Sequence, residues 1–130
     1  MGRQVPEPTI VAQADPTGTQ RFSATGASFC IREWRGSGPA TLHVHHADDE
    51  AWHVLEGTLR FRFADRIVEV AAGGTVFVPA GVAHTYEAVG ARYLVMLTPR
   101  LVALIDELQR TPDRSRHAGI YRAHQSELLE

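Results

Sequence analysis

The sequence contains no lysine, because all 13 of its basic side chains are arginine. Enzymes that form a Schiff base, attach pyridoxal phosphate or cradle phosphate in a Walker-type loop need a lysine amine. Cysteine is almost as scarce, since Cys30 is the only one. A single thiol excludes an intramolecular disulfide, a paired-cysteine redox centre and a metal site built from several cysteines.

Long apolar runs and an excess of either charge are also missing. No run approaches the roughly 18 apolar residues that a membrane-spanning helix needs, and the first fifteen residues lack the apolar core of a signal peptide. The formal net charge is −2 and the isoelectric point is about 6.4, which favours neither nucleic-acid nor membrane binding. We therefore expect a cytoplasmic protein that binds neither nucleic acid nor membrane.

The 130 residues suffice for one domain, and short β-prone segments dominate them. In Leu59–Phe63, apolar residues alternate with Arg60 and Arg62, which is the period of a strand with one buried face. Turn residues separate the segments at close intervals, among them Glu56-Gly57 and Gly90. This pattern predicts an all-β fold, an antiparallel sandwich or barrel. We expect four apolar side chains in its core: Phe29, Ile31, Phe61 and Phe63.

The periodicity changes after Leu97. Four apolar residues recur at helical spacing, Thr98 is placed to cap the helix and Pro99 suits its first position; the four are Leu101, Leu104, Ile105 and Leu108. We expect this stripe to pack against the outside of the barrel, and a second, weaker helix over 113–129. The predicted organisation is an N-terminal arm over 1–18, a barrel over 19–98 and a C-terminal helical segment over 99–130 packed on the barrel.

Four residues with metal-binding side chains stand at suggestive spacings. His43 and His45 are two apart on a β-prone segment, so both leave the same face. Glu50 follows a polar turn, and His84 follows Pro79-Ala80-Gly81. Three imidazoles and a carboxylate suit Fe(II), Mn, Ni, Zn, Co or Cu. The residues alone leave two interpretations open, which are hydrogen-bonded core histidines and a metal site. His46 is an alternative ligand to His45, although its parity with His43 is wrong.

Two gapped motifs in residues 38 to 90 resemble those of the cupin superfamily. The first reads Gly38, four residues, His43-Val44-His45, four residues, Glu50, six residues and Gly57, which is one residue short of the family pattern in its first gap. The second reads Gly73, five residues, Pro79-Ala80-Gly81, two residues and His84. Where the family ends this motif with asparagine, the chain has Ala88. That asparagine binds no metal, so its loss leaves the ligand set intact.

The resemblance implies an antiparallel double-stranded β-helix, the cupin or jelly-roll barrel, with a C-terminal α-helical segment. It also implies one divalent transition metal in the barrel, held by the residues that match the family's ligands: His43, His45, Glu50 and His84. Four inward polar side chains are costly to bury unless they are paired or coordinated, which gives a physical reason for grouping them. Small cupins generally pair, so a homodimer is expected.

Residues near the ligands are assigned to the site by strand parity. Tyr86 lies two residues after His84 and is the candidate catalytic residue, as a proton donor or a hydrogen-bonding partner of the substrate; a packed wall residue is the alternative. Trp52 follows Glu50 by the same parity and is expected in the pocket wall. Arg32 is a candidate for binding an anionic substrate, and a surface ion pair is its alternative role.

The sequence thus predicts a metal-dependent enzyme acting on a small organic substrate, and a dioxygenase is the leading candidate. A redox-neutral isomerase or decarboxylase and a non-enzymatic binding or sensing cupin remain alternatives, because this scaffold supports all of them.

Overall fold

The computed structural model describes residues 6–13, 15, 17 and 19–130. The strands in these ranges are β1 (Ser23–Thr25), β2 (Cys30–Trp34), β3 (His43–His45), β4 (Glu50–Phe63), β5 (Ile67–Ala71), β6 (Thr75–Val78), β7 (His84–Leu97) and β8 (Ser126–Leu128). The helices are α1 (Pro99–Arg110), a 3₁₀ turn (Arg114–Arg116) and α2 (His117–Ala123). None of the helices in the described ranges is long and apolar enough to cross a membrane.

The strands form an antiparallel double-stranded β-helix, as predicted. Along one path the order is β1-β2-β7-β3-β8, and β4 pairs with β5, β6 and β7. The two longest strands, β4 and β7, run side by side from the pair Ala51↔Met96 to the pair Phe63↔His84. Because β7 also pairs with β2 and β3, it connects the two ends of the barrel and carries His84 into the same sheet as β3.

The expected turns at Gly57 and Gly90 are bends inside continuous strands. The β4–β7 register shifts on either side of Glu56, and both glycines have positive φ, 69° and 57°. A β-carbon at Gly57 would overlap the Gly90 carbonyl, so the two strands approach there more closely than side chains allow. The glycines therefore mark a bulge that bends the sheet rather than a chain reversal.

The core follows the alternation of the long strands. Trp52, Val54, Leu59 and Phe61 of β4 and Tyr93 of β7 are fully buried. The expectation for Phe29 was wrong, because its side chain is 57% exposed. Phe29 shares its strand parity with Ile31, which lies opposite Met96 on the outer face, is only half-buried and does not belong to the core. The expectation for Ile31 was therefore wrong as well, because the core side of β2 carries Cys30.

The C-terminal segment consists of two helices and an added strand. Thr98 caps α1, its hydroxyl accepting a hydrogen bond from the Leu101 amide, and Pro99 opens the helix. The predicted second helix over 113–129 is interrupted, since α2 ends at Ala123 and Gln125 adopts a positive φ of 56°. This turn lets β8 pair with β3, with His45 opposite Ser126.

The predicted N-terminal arm, 1–18, lies only partly within the described residues. Residues 6–13 form irregular chain with exposed side chains, and residues 1–5, 14, 16 and 18 lie outside the description.

Candidate metal centre

Two neighbouring strands bring three histidines together. His43 and His45 alternate with Val44 on β3, so their rings leave the same face. His84, the first residue of β7, is paired directly opposite His43. The nitrogen atoms that these three side chains offer all lie within 4.8 Å of one another, and all three residues are buried.

The other ring nitrogen of each histidine is held by the protein. His43 Nδ1 lies 3.0 Å from the Thr41 carbonyl, and His84 Nδ1 lies 2.9 Å from the Val82 carbonyl. A carbonyl can only accept a hydrogen bond, so both Nδ1 atoms carry the proton. His45 Nδ1 lies 2.7 Å from the Ser126 hydroxyl. This pattern leaves the Nε2 lone pairs of His43 and His84 free to bind a metal.

Glu50 adds a carboxylate beside the cluster. Its Oε1 lies 3.3 Å from Nε2 of His45 and 3.3 Å from Nε2 of His84. Burial opposes ionisation of Glu50, but in the metal-free site the contacts with these two imidazoles, in the form that bears a proton on Nε2, outweigh it and lower the pKa of the carboxyl to about 2. Glu50 is therefore ionised at neutral pH and supplies negative charge to the site. A bound metal would take the place of those Nε2 protons.

His43 is held neutral. Burial of the ring, followed by the neighbouring His84, lowers the pKa of His43 to about 3. A neutral imidazole is the form that binds metals, since protonation would occupy the lone pair.

The donor set fits a divalent transition metal. Bonds of about 2.0–2.2 Å from a metal to nitrogen or oxygen place adjacent ligand atoms about 2.8–3.1 Å apart in octahedral geometry and about 3.3–3.6 Å apart in tetrahedral geometry. The 3.3 Å separations between Glu50 and the two histidines match the tetrahedral spacing and lie close to the octahedral one. His43, His45, His84 and Glu50 would hold the ion, and imidazole with carboxylate suits the first-row transition metals.

The cluster faces a small cavity of about 90 Å³. The three histidines, Glu50 and Trp52 form part of its wall, and the C-terminal helices supply an apolar part: Leu101, Leu104, Ile105, Leu108 and Tyr121. The helical stripe of α1 thus faces the cavity rather than an outer wall of the barrel, which corrects the expectation from sequence. Helical spacing shows which face of α1 is buried but not what that face covers.

Trp52 and Tyr86 both line this cavity, where strand parity placed them. The Tyr86 hydroxyl lies 2.8 Å from that of Tyr93, which donates to the Gly36 carbonyl. Burial raises the pKa of Tyr86 to about 12. The Trp52 indole N–H is buried and has no hydrogen-bond partner in the described part of the chain. Tyr86 also borders an open groove of about 510 Å³ outside the barrel.

Arg32 and His46 lie away from the cluster. The Arg32 guanidinium pairs with Asp106 of α1 at 3.2 Å, and Arg32 is not among the residues that line the cavity. His46 is exposed and lies 3.5 Å from Glu127. The structure therefore places Arg32 in an ion pair between β2 and α1, in place of the substrate pocket expected for it.

Sequence reasoning missed two residues of the site, Tyr121 and Ser126. The Tyr121 ring packs against that of His43, with centroids 5.5 Å apart, and Ser126 contacts His45. Both lie beyond residue 98, in a segment whose periodicity predicted only helix. Nothing in a single sequence signals that this segment returns to the barrel as a strand.

Comparison with known proteins places the barrel among related folds. An uncharacterized protein of Streptomyces coelicolor is 38% identical over 56 residues, which are 42% of this chain and 53% of that protein. The chain thus spans about half the length of this curated relative.

Two solved structures share the fold. A cupin-2 domain containing protein from Shewanella frigidimarina has a TM-score of 0.50 at 25% identity, covering 62% of this chain and 80% of the other. KdgF from Halomonas sp. has a TM-score of 0.51 at 20% identity, covering 67% and 85%.

A family model also matches the chain directly. The match extends from residue 33 to residue 99, just over half of the chain. It includes β3, β4 and β7, and with them His43, His45, Glu50 and His84. With the double-stranded β-helix and the histidine cluster described above, this match shows that the chain belongs to the cupin domain family, Cupin_2.

Proposed function

We propose that this protein is a metal-dependent enzyme that acts on a small organic substrate, with dioxygen as co-substrate. The observation that carries the proposal is the buried convergence of His43, His45 and His84 at the wall of a cavity. A divalent transition metal bound there supplies Lewis acidity or redox chemistry. Every other role below belongs to side chains of the chain itself.

The charge of the site favours an oxygen ligand with negative charge. Three neutral imidazoles and the Glu50 carboxylate carry a total of −1, so a divalent ion leaves the site with a net +1. An oxyanion or an enolisable carbonyl compound would neutralise this charge in a low-dielectric environment. The surrounding apolar side chains of α1 keep water out and strengthen that attraction.

The size of the cavity limits the substrate. A volume of about 90 Å³ corresponds to roughly three water molecules at their share of liquid volume, about 30 Å³ each. This supports a compact substrate of a few non-hydrogen atoms. The apolar part of the wall suits dioxygen, which is itself small and apolar.

Two side chains are placed to hydrogen-bond a substrate. Tyr86, with its pKa raised to about 12, keeps its proton at neutral pH and donates it to Tyr93, so its oxygen is left to accept a hydrogen bond from the substrate. The unpartnered indole N–H of Trp52 is a donor that a bound oxygen would satisfy. We assign Tyr86 and Trp52 to the substrate pocket on this basis.

The test begins with the metal. Elemental analysis of the purified protein should find one transition metal per chain, and His84→Ala should lose it. His53→Ala is the matched control, because His53 lies on the opposite face of β4 and its Nδ1 bonds to Thr75. Full metal content in His84→Ala would contradict the metal site.

The reaction is tested on the Fe(II)-loaded protein with the smallest chelating oxygen compounds, the two- and three-carbon 2-oxo acids. We expect dioxygen to be consumed in step with substrate. Turnover of substrate without dioxygen would contradict the oxygenase hypothesis and favour a redox-neutral isomerase or decarboxylase. Tight binding of these compounds without turnover would favour a sensing protein.

A further inference from the structure

His45 differs from the other two histidines of the cluster in how its ring is held. His43 and His84 each bond through Nδ1 to a carbonyl two residues earlier in the chain, so their own strands orient them. The Nδ1 atom of His45 instead bonds to the side chain of Ser126, 81 residues later. One ligand therefore depends on a distant part of the chain.

The Ser126 hydroxyl has one consistent arrangement. Its Oγ donates to the His124 carbonyl at 3.2 Å, so it accepts from the proton on Nδ1 of His45 at 2.7 Å. Ser126 is 2% exposed, and water does not compete for these bonds. This relay fixes the proton on Nδ1 and leaves the Nε2 lone pair of His45 directed toward Glu50 and His84.

The backbone places Ser126 firmly. Ser126 is paired opposite His45 in the β3–β8 ladder. On one side the His46 amide donates to the Gln125 carbonyl at 2.8 Å, and on the other the Leu129 amide donates to the Leu42 carbonyl at 2.9 Å. The hydroxyl is thus held between two backbone contacts and has little freedom to move away from His45.

We propose that Ser126 is a positioning residue of the metal site, and that the strand β8 is consequently part of that site. The inference rests on the proposed metal-dependent function. It assigns a role to a segment that begins 27 residues beyond residue 99, where the family match ends. Without the hydroxyl, the buried Nδ1 proton of His45 has no partner, and the ring is free to change tautomer or rotate.

The experiment compares three variants with the unmodified protein. Ser126→Ala removes the hydroxyl that accepts from His45, and Ser126→Thr keeps a hydroxyl at the same position. Glu127→Ala is the control on the next residue of β8, whose ion-pair partner in the described part of the chain is the exposed His46. Co(II) affinity is measured by competition with a chelator, and the visible spectrum of bound Co(II) reports the ligand geometry. The unfolding temperature of each metal-free protein reports stability separately.

We expect Ser126→Ala to weaken Co(II) binding by about 10- to 100-fold, the usual effect of losing such a partner, and to alter the spectrum. Ser126→Thr should restore most of the affinity, and Glu127→Ala should match the unmodified protein. Equal affinity and an identical spectrum in Ser126→Ala would overturn the inference, even where its metal-free form unfolds at a lower temperature. If the unmodified protein bound no Co(II), the proposed metal-dependent function itself would fail.

A second measurement needs no variant. Long-range ¹H–¹⁵N correlation spectra of the Zn(II)-loaded protein report which ring nitrogen of each histidine carries the proton. We expect His45 with its proton on Nδ1. A proton on Nε2 of His45 would overturn the inference whether or not Ser126→Ala folds.

Discussion

A neutral histidine inside the barrel makes stability depend on pH. The pKa of His43 is lowered to about 3 in the folded chain, mainly by burial, from an ordinary value of 6.5. Below about pH 6.5 His43 binds a proton in the unfolded chain but stays unprotonated in the folded chain. Stability is therefore lost as the pH falls from 6.5 toward 3, by up to about 1.4 kcal/mol per pH unit.

We expect this loss in the metal-free protein and its reduction in His43→Asn. Urea unfolding between pH 6.5 and 5 is the measurement. The Glu50 carboxyl, whose pKa is lowered to about 2 from 4.5, contributes stability above pH 4.5 that is lost only at lower pH, so it does not interfere in this window. His53→Asn serves as control on the opposite face of β4, and equal pH slopes in both variants would contradict the prediction.

A glycine in a bent strand is required for two separable reasons. Gly57 and Gly73 both have positive φ, 69° and 89°, but a β-carbon would collide with the Gly90 carbonyl only at Gly57. Gly73→Ala should cost about 1–2 kcal/mol for left-handed backbone alone, and Gly57→Ala should cost distinctly more. Equal free energies of unfolding for the two variants would show that the close approach of β4 and β7 does not matter.

At the scale of elements, the sequence predicted where α1 lies and which of its faces is buried, but not the surface that this face contacts. The bounds of α1 follow from Thr98, Pro99 and the apolar spacing. The surface that α1 packs against could not be predicted, because helical spacing identifies which face is buried but not which part of the protein covers it. The bends at Gly57 and Gly90 show the same limit, since glycine after a strand is as typical of a bulge as of a turn.

Leu104 of α1 tests how strongly the helix is bound to the barrel. It is 1% exposed and lines the cavity beside the histidines. Leu104→Ala should lower the free energy of unfolding by about 2–5 kcal/mol, because it removes buried volume that the site cannot refill. Gln109→Ala, on the exposed face of the same helix, should change it little. An unmoved urea midpoint for Leu104→Ala would show that α1 is only loosely attached.

At the scale of the whole molecule, the motifs carried most of what could be predicted. The cupin family and the double-stranded β-helix are confirmed, and the structure brings the four motif residues together. What the sequence could not supply depends on contacts between distant segments. Ser126 beside His45 is set by a strand that pairs across the molecule, and Arg32 turns to Asp106 because α1 lies next to β2. A homodimer stays a prediction.

The outer face of the barrel offers a surface for that homodimer. Strand register aligns Ile31, Met96, Ala51 and Phe77 in one row across β2, β7, β4 and β6. Phe77 is 63% exposed, and Phe29, which borders the same shallow groove, is 57% exposed. Covering such a row releases roughly 25 cal/mol per Å² of apolar surface, and contiguous exposed apolar patches commonly mark interfaces.

We expect light scattering to measure a molecular mass of twice the 14.3 kDa of one chain for the unmodified protein. Phe77→Ser should lower that mass toward the value of the monomer. Val89→Ser is the control, since Val89 is 58% exposed but is separated from Met96 by the bend of β7 at Gly90. A side chain lost from an interface weakens association, whereas one lost from a solvated surface does not. A molecular mass of one chain for the unmodified protein at every concentration would contradict the homodimer, and equal dissociation of both variants would place the contact elsewhere.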